Sequence, residues 1–295
     1  MKTTKPTKPT KPTLPRAAAL SLATATLAGD LGPLRALAKR KGKKGGWSYH
    51  ARRLLVWILD PSTPPPFAIF ARGNSKLPFS AFSALPFLTC PGKGDCEEDC
   101  YSAKAWRFPT ALFRQLQNTL MLQTAQGRAT IAAAFTRLPI GPVRLYVDGD
   151  FPDVATVRFW MALISTRPEL PVYGYSKSWL ELIGAQLSGI TWPENYALNL
   201  SSGSTHGPEI RALMAQLPIT RGEFLAVQVD RVHIASRAYQ GPTRPGWSEY
   251  RRAATKAAPP RAFVCRGKCG SCLPSGEHAC GAASMRGIPI VIGIH

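Results

Sequence analysis

The seven cysteines of this 295-residue chain fall into two compact groups, and no cysteine lies outside them. The first group is Cys90, Cys96 and Cys100, and the second is Cys265, Cys269, Cys272 and Cys280. Ligands of one ion or cluster must converge within a few ångströms and therefore tend to lie a few residues apart in a loop, whereas structural cysteines scatter among core positions. The spacing predicts two thiolate-ligated metal centres.

The first group supplies three thiolates, one fewer than a structural zinc site usually takes from the protein. Three thiolates suit a [4Fe–4S] cluster whose fourth iron is left for a substrate. A histidine or a distant cysteine could still complete a zinc site. We favour the iron–sulfur cluster here and keep zinc as the alternative.

The second group supplies four thiolates and can close its own site, which is typical of a structural or electron-transferring centre. Zinc and an iron–sulfur cluster are equally compatible with it. Lys268, Gly267 and Gly270 lie between its cysteines. They would supply charge compensation and backbone N–H donors to the sulfurs.

Three acids lie close together at Asp148-Gly149-Asp150 and Asp153, out of 17 in the whole chain. Acids at the end of a buried parallel strand are costly unless they hold a cation, an ammonium or a hydroxyl. The alternative is N-capping of a helix by Asp150 or Asp153, which would explain one acid but hardly all three. A divalent-metal site for phosphoryl chemistry is a further alternative, without a second acid cluster to complete it.

Further polar residues follow predicted strands and are suited to a ribose or a carboxylate. These candidate cofactor contacts are Ser176, Lys177, Asn199, Ser201 and Ser202. Ser178 and Glu181 have the Ser-x-x-Glu pattern of a capping box, so Ser178 is predicted to cap a helix. The five histidines show no metal spacing among themselves, and we expect no ligand role for them, although His278 or His295 could serve as a spare ligand.

Strand and helix patterns alternate from Trp47 onward. Short apolar runs predict strands at residues 79–85, 143–147, 172–175, 197–200, 224–229 and 288–294. Apolar stripes at helical spacing predict helices around residues 157–164 and 210–217, and two more between 110 and 138. Alternation implies a parallel sheet with right-handed crossovers, and we favour an α/β fold with an open, partial (β/α)6 barrel of the TIM type over a doubly wound sheet. In either fold, ligands gather at the carboxyl ends of the strands.

The net charge of +20 is concentrated near the N-terminus, where residues 1–53 contain 13 Lys or Arg and one acid, Asp30. Such a basic segment is attracted to polyphosphate by counterion release, so residues 2–53 predict a nucleic-acid partner, with a solvated tail as the alternative. The Thr-Lys-Pro repeats predict a disordered basic arm over residues 1–46, with a short helix within residues 16–37. Residues 47–295 would form the partial barrel, including a cysteine-rich segment at 263–281.

An odd number of closely spaced cysteines fits a metal or redox site in a reducing compartment better than a secreted disulfide framework. We therefore expect a cytoplasmic protein. Residues 16–29 imitate a secretory segment poorly, since their leucines are diluted by alanine and threonine, and no apolar run reaches the roughly 20 residues of a membrane span.

The order of a strand, a three-cysteine loop, a helical segment and a strand ending at Gly149-Asp150 resembles the layout of radical S-adenosylmethionine (SAM) enzymes. There a (β/α)6 partial barrel holds a [4Fe–4S] cluster after the first strand, and a Gly-Gly-Glu segment after the second binds the amine of SAM. The resemblance implies Asp150 at the SAM amine, Asn199 or Ser201 at the ribose, and an auxiliary cluster on the second group. The first-loop spacing departs from the usual Cys-x3-Cys-x2-Cys, and Asp148-Gly149-Asp150 replaces Gly-Gly-Glu.

More closely, the chain is similar to a family of phage and plasmid proteins typified by mycobacteriophage gene product eighty-eight. The similarity rests on Cys90-Pro91-Gly92, Cys100-Tyr101-Ser102-Ala103, Asp148-Gly149-Asp150-Phe151, Tyr175-Ser176-Lys177-Ser178 and a cysteine-rich segment before a last strand ending in His295. This resemblance implies metal sites and a mobile-element origin, and no particular reaction.

Two main hypotheses follow. The first is an iron–sulfur enzyme of radical-SAM type, with [4Fe–4S] and SAM as cofactors and a nucleic acid or nucleotide as substrate. The second is a nucleic-acid-binding accessory protein in which zinc or iron–sulfur centres only stabilise loops. A weaker third hypothesis is a metal-dependent hydrolase that uses Asp148, Asp150 and Asp153.

Overall fold

The computed structural model describes residues 14–72, 77–98, 100–229, 246–267, 269–270 and 272–294. These residues form two compact units. The first contains residues up to Pro66 together with Ala103–Phe113, and the second contains Phe67–Ser102 and the chain from Arg114 onward.

The first unit begins with three helices, α1 (Arg16–Leu27), α2 (Gly32–Lys39) and α3 (Trp47–Leu59). The described part of the predicted basic arm contains α1 and α2, in the region where the sequence predicts a short helix, because alanine and leucine favour helix and Leu22, Leu34 and Leu37 are buried. Arg52 of α3 donates a hydrogen bond to the Ala38 carbonyl at 2.8 Å, which fixes α2 against α3. The Thr-Lys-Pro repeats lie outside the described residues, and the boundary at residue 46 stays a prediction.

The second unit is built on an eight-stranded sheet. Its strands are β1 (Phe70–Arg72), β2 (Ser80–Phe82), β3 (Val143–Leu145), β4 (Val172–Ser176), β5 (Tyr196–Ser201), β6 (Thr220–Gln228), β7 (Phe263–Val264) and β8 (Ile290–Ile294). All six predicted strands are confirmed. The two additional strands, β1 and β7, have three and two residues and are too short to show a period.

The strand order is β1-β2-β3-β4-β5-β6-β8-β7, with β1 antiparallel to β2 and all other pairs parallel. Strands β2 to β6 are neighbours in chain order, so the sheet lacks the reversal of strand order that defines a doubly wound fold. The mixed α/β class is confirmed. The sheet remains open, with β1 and β7 at its edges, so a barrel is not confirmed.

Helices connect the parallel strands. They are α4 (Tyr101–Lys104), α5 (Pro109–Leu122), α6 (Ala125–Thr136), α7 (Val154–Ser165), α8 (Trp179–Leu187), α9 (Pro208–Ala215) and α10 (Trp247–Ala257). Right-handed crossovers between sequential strands place successive helices on one side of the sheet. Trp160 of α7 packs there against Phe82 of β2, with ring centroids 4.8 Å apart. No helix in the described part of the chain is both long and apolar enough to cross a membrane.

The other side of the sheet is covered by the cysteine-rich segment near the C-terminus. Side chains alternate along a strand, so Arg144 of β3, Tyr173 and Tyr175 of β4 and Asn199 of β5 share this side, which we call the cysteine face. Cys272, Ala279, Cys280, Ala282 and Met285 pack with Tyr173 in one buried cluster. The segment is therefore part of the core of this unit.

The helix starts test the sequence predictions directly. Pro208 opens α9 as predicted, and Asp153 caps α7 by accepting a hydrogen bond from the Thr156 amide at 2.6 Å. The capping box at α8 is wrong, because the Ser178 hydroxyl makes no capping hydrogen bond. The amides of Lys177 and Ser178, just before the helix, donate instead to the carboxylate of Asp150, which follows β3.

Candidate metal centres

The first cysteine loop follows β2 and lies across the carboxyl edge of the sheet. Lys93 forms an antiparallel bridge with Ser204, in the segment that follows β5. The amide of Gly94 donates to the Gly203 carbonyl, and the amide of Thr205 donates to the Gly92 carbonyl, both at 3.1 Å. These contacts hold the loop against the end of a strand that is three positions away in the sheet.

Gly92 brings the loop into close contact with the end of β4. A Cβ atom at this position would lie 1.7 Å from the carbonyl oxygen of Lys177 and 3.1 Å from Nε2 of His206. Only glycine permits this approach, because a methyl group would overlap a backbone atom. The glycine of the Cys90-Pro91-Gly92 motif is therefore required for the loop to dock against the end of β4.

The three cysteines of this loop are half-buried. Cys96 lies beside Gly203, where an added Cβ atom would be 3.4 Å from that of the cysteine. Burial, and then the neighbouring Asp150, raise the pKa of the Cys90 thiol to about 12, and Cys100 and Lys177 are also within electrostatic range of it. A metal ion at Cys90 would have to displace a tightly held proton.

Asp150 is the centre of the hydrogen-bond network at this edge. One carboxylate oxygen accepts from the Phe151 amide at 2.9 Å and the Ser176 hydroxyl at 2.8 Å. The other accepts from the amides of Lys177 at 2.7 Å and Ser178 at 3.2 Å. Its four acceptor positions are thus filled by protein donors, and a ligand amine at Asp150 would have to displace one of them.

The same residue links β3 to the cysteine loop, since the Asp150 amide donates to the Thr89 hydroxyl at 3.2 Å. Burial raises the pKa of the Asp150 carboxyl, while the Lys177 amide and the Ser176 hydroxyl oppose that shift. Gly149 has φ +77°, and a Cβ atom there would lie 2.6 Å from the Thr89 hydroxyl oxygen. Glycine is therefore required between the two acids.

Each acid of the Asp148–Asp153 cluster has a partner within the protein. The buried Asp148 carboxylate accepts from the Gln115 side chain at 2.9 Å, Asp150 has its four donors, and Asp153 caps α7. These contacts account for the whole cluster without a cation. They lend no support to the hydrolase hypothesis.

The remaining candidate cofactor contacts are also bonded within the protein. Lys177 Nζ donates to the Ser201 hydroxyl at 2.9 Å. The amide nitrogen of Asn199 donates to the carbonyls of Gly174 and Cys280, and its oxygen accepts from Arg221. Asn199 is fully buried on the cysteine face, so in this arrangement it has no free group for a ribose.

The four cysteines of the second group lie near one another on the cysteine face. Cys265 is within electrostatic range of Cys269, Cys272 and Cys280, and burial is the main cause that raises its pKa. Burial raises the pKa of Cys280 to about 11, opposed by a hydrogen bond from the Tyr175 hydroxyl. The Gly267 amide donates to the Cys265 sulfur at 3.3 Å, as predicted for a donor between the ligands. Lys268 lies outside the described residues.

The donor types of both groups suit a thiolate centre, but their positions do not yet enclose an ion. Within the described ranges, no three His, Cys, Asp or Glu side chains are close enough together to hold a metal. The sulfurs would have to move together on binding, as ligands of a site that forms with its metal do. Metal binding at both groups thus stays a prediction.

His206 and Glu181, which the sequence does not predict as site residues, lie at the carboxyl edge. His206 Nε2 and Glu181 Oε2 are buried and have no hydrogen-bond partner in the part of the chain that the structure describes. His206 packs on Trp179, with ring centroids 5.8 Å apart, and interacts electrostatically with Glu181. Burial is the main cause that raises the pKa of Glu181. Glu181 looked like a capping residue, and the isolated His206 carried no sequence signal.

An open α/β sheet with one cysteine group at its carboxyl edge and another on one of its faces defines a class of cysteine-rich α/β proteins. Residues 41–285 match the model of the family described as gene product 88, and the chain belongs to this family. No curated protein and no solved structure matches the chain. The phage gene-product family is thereby confirmed, whereas the resemblance to radical SAM enzymes stays a prediction.

Proposed function

We propose that this protein is an iron–sulfur protein of a phage or plasmid that carries out SAM-dependent chemistry of radical-SAM type on a nucleic acid or nucleotide. The observation that carries the proposal is the docking of the three-cysteine loop across the carboxyl edge, through the bridge between Lys93 and Ser204. In parallel α/β folds this edge is where ligands bind. A reactive centre belongs there, and three thiolates leave one position of a [4Fe–4S] cluster free.

The residues around the loop suit a charged, polar cofactor. A cluster on Cys90, Cys96 and Cys100 would supply the electron for reductive cleavage of SAM. Since Asp150 is saturated, Glu181 is our candidate for the SAM amine, because its buried oxygen lacks a partner. Lys177 and Ser201 would give up the hydrogen bond between them and bind the carboxylate or the ribose of SAM instead. Asp150 would position Lys177 through its backbone amide.

The proposal is tested by anaerobic reconstitution of the full chain with iron and sulfide, followed by chromatography for 5′-deoxyadenosine formed from SAM under reducing conditions. We expect formation in the unaltered protein and none in Cys100→Ala. Glu181→Gln should lower the affinity for SAM at least tenfold, since a buried charge-assisted hydrogen bond to the amine is lost. Glu209→Gln, an exposed acid of the first turn of α9, is the matched control and should behave like the unaltered protein.

A reconstituted protein that holds iron at the first group but neither binds nor cleaves SAM would contradict the radical-SAM proposal. A protein that takes up zinc and no iron under these conditions would contradict the iron–sulfur assignment as well.

The charge distribution favours a second candidate function, a nucleic-acid-binding accessory protein with structural zinc or iron–sulfur centres and no catalysis. The basic segment at residues 39–44 includes Lys41, Lys43 and Lys44, which are all exposed. Phosphate contacts by such side chains release counterions, so affinity falls steeply with salt.

This candidate predicts a specific salt dependence. Substitution of Lys41, Lys43 and Lys44 by glutamine should lower the slope of log K against log salt by up to about 3 for double-stranded DNA, measured by fluorescence anisotropy. The matched control replaces three basic residues of α10, Arg251, Arg252 and Lys256. Equal slopes for both triple variants would contradict a binding role for the N-terminal segment. Cys90→Ala should leave the slope unchanged.

A further inference from the structure

Arg144 is a cation in the middle of β3 with no anion beside it. Its Nε atom is buried and has no hydrogen-bond partner in the described structure. Nη2 donates a long hydrogen bond of 3.4 Å to the Tyr101 hydroxyl, and Cζ lies 4.6 Å from the centroid of the Tyr175 ring. No ion pair within the described residues includes it. Arg144 is half-buried, and a buried guanidinium N–H without an acceptor is costly, so an anion placed beside it would stabilise the fold.

The neighbours of Arg144 identify the compensating charge. The groups within electrostatic range are Tyr101, Tyr173, Tyr175 and Cys269. Tyrosine phenols are neutral near pH 7 at their ordinary pKa of about 10, so the three tyrosines supply no anion. Cysteine is the remaining kind of group there, and it becomes an anion when its thiol ligates a metal.

The tyrosines connect Arg144 to the sulfurs of the second group. The Tyr175 hydroxyl lies beside the Cys280 sulfur, and the arginine stacks on the same tyrosine ring. The Tyr173 hydroxyl lies beside Cys269 and has no hydrogen-bond partner within the described residues. Both hydroxyls are thus placed to donate to thiolate sulfur.

Arg221 is a second cation on the same side. It is 2% exposed, and within the described residues its guanidinium donates to uncharged oxygens, including those of the Asn199 side chain and the Met285 carbonyl. Cys280 is within electrostatic range of it. Four thiolates on a divalent ion, or on an oxidised [4Fe–4S] cluster, carry a net double negative charge. The guanidinium groups of Arg144 and Arg221 would balance that charge.

We propose that Arg144 is the counter-cation of a four-thiolate metal centre formed by Cys265, Cys269, Cys272 and Cys280, with Tyr173 and Tyr175 as hydrogen-bond donors to its sulfurs. The inference rests on the thiolate metal binding of the proposed function, extends it to the second cysteine group, and adds the residues that stabilise the charge there. Arg144 is a positioning residue that acts on the thiolates through its charge and through Tyr175, and does not bind the metal.

The experiment uses the full chain with Cys90, Cys96 and Cys100 replaced by serine, so that only the second group can bind. The reduced, chelator-stripped protein is titrated anaerobically with Co²⁺, and the thiolate-to-cobalt absorption band is followed in competition with a chelator. Arg144→Gln should weaken Co²⁺ binding by about tenfold or more, and Arg144→Lys should weaken it less. Arg158→Gln, on the exposed side of α7, is the control for loss of a positive charge.

Unfolding of the metal-free protein by urea separates this role from a structural one. Because Arg144 has no anion in the metal-free state, Arg144→Gln should not lower the midpoint of that unfolding. Unchanged Co²⁺ affinity in Arg144→Gln, or a lowered midpoint without metal that accounts for the weaker binding, would overturn the inference. A parent protein that shows no thiolate-to-cobalt band would contradict metal binding at the second group and overturn the inference, without testing the first group.

Discussion

Replacement of Asp150 by alanine is expected to lower the free energy of unfolding by about 3 kcal/mol, because three donors lose their acceptor and each buried unsatisfied donor costs at least about 1 kcal/mol. These donors are the amides of Phe151 and Lys177 and the hydroxyl of Ser176, whereas the Ser178 amide keeps the Ser176 hydroxyl as an acceptor at 3.0 Å. They belong to the ends of β3 and β4, so the whole carboxyl edge loses its central acceptor. Urea unfolding followed by circular dichroism measures the change.

The matched control is Asp153→Ala, three residues away. That carboxylate accepts one capping hydrogen bond, from the Thr156 amide, so its loss should cost about 1 kcal/mol. Asp150→Asn keeps one acceptor oxygen and should lie between the two. If Asp150→Ala costs no more than Asp153→Ala, the hydrogen-bond network does not stabilise the edge as described.

Asp150 also shows how far sequence reasoning reaches. A conspicuous acid at the end of a predicted strand was correctly placed at the carboxyl edge, and its neighbourhood with Ser176 and Lys177 followed from the parallel sheet. The sequence could not show that its four acceptor positions are filled by protein donors. That depends on the distance between the ends of β3 and β4, which is set by the pairing of Leu145 with Gly174.

The cysteine face was missed for a related reason. The alternation in β4 could have predicted that Tyr173 and Tyr175 point to the same side, and Arg144 is conspicuous as a charge between Val143 and Leu145. Nothing in the sequence indicates that the cysteine-rich segment, about a hundred residues later, packs over those side chains. A contact between distant segments follows from tertiary packing and leaves no local period.

The N-terminal segment contains two helices, α1 and α2, where the sequence predicts one short helix within residues 16–37. Its many basic residues favour an interpretation as an arm. Residues 16–27 contain no acid and few strong apolar side chains, yet α1 forms because alanine has the highest helix propensity and Leu22 and Ala23 are buried.

Gly92→Ala should release the first cysteine loop from the carboxyl edge. The new methyl group would lie 1.7 Å from the Lys177 carbonyl oxygen, a backbone atom that cannot move without disturbing the Asp150 network. Overpacking of this kind costs about 3 kcal/mol, so the amides of Gly94 and Thr205, which bond across the loop contact, should exchange on the order of 100-fold faster. Hydrogen exchange measured by mass spectrometry reports the protection of both segments.

Gly207→Ala is the control, because an added Cβ there meets no atom within 4 Å. Protection of both segments equal to that in the control would show that the loop is not held by this contact, and the proposed reactive centre would lose its position over the strand ends.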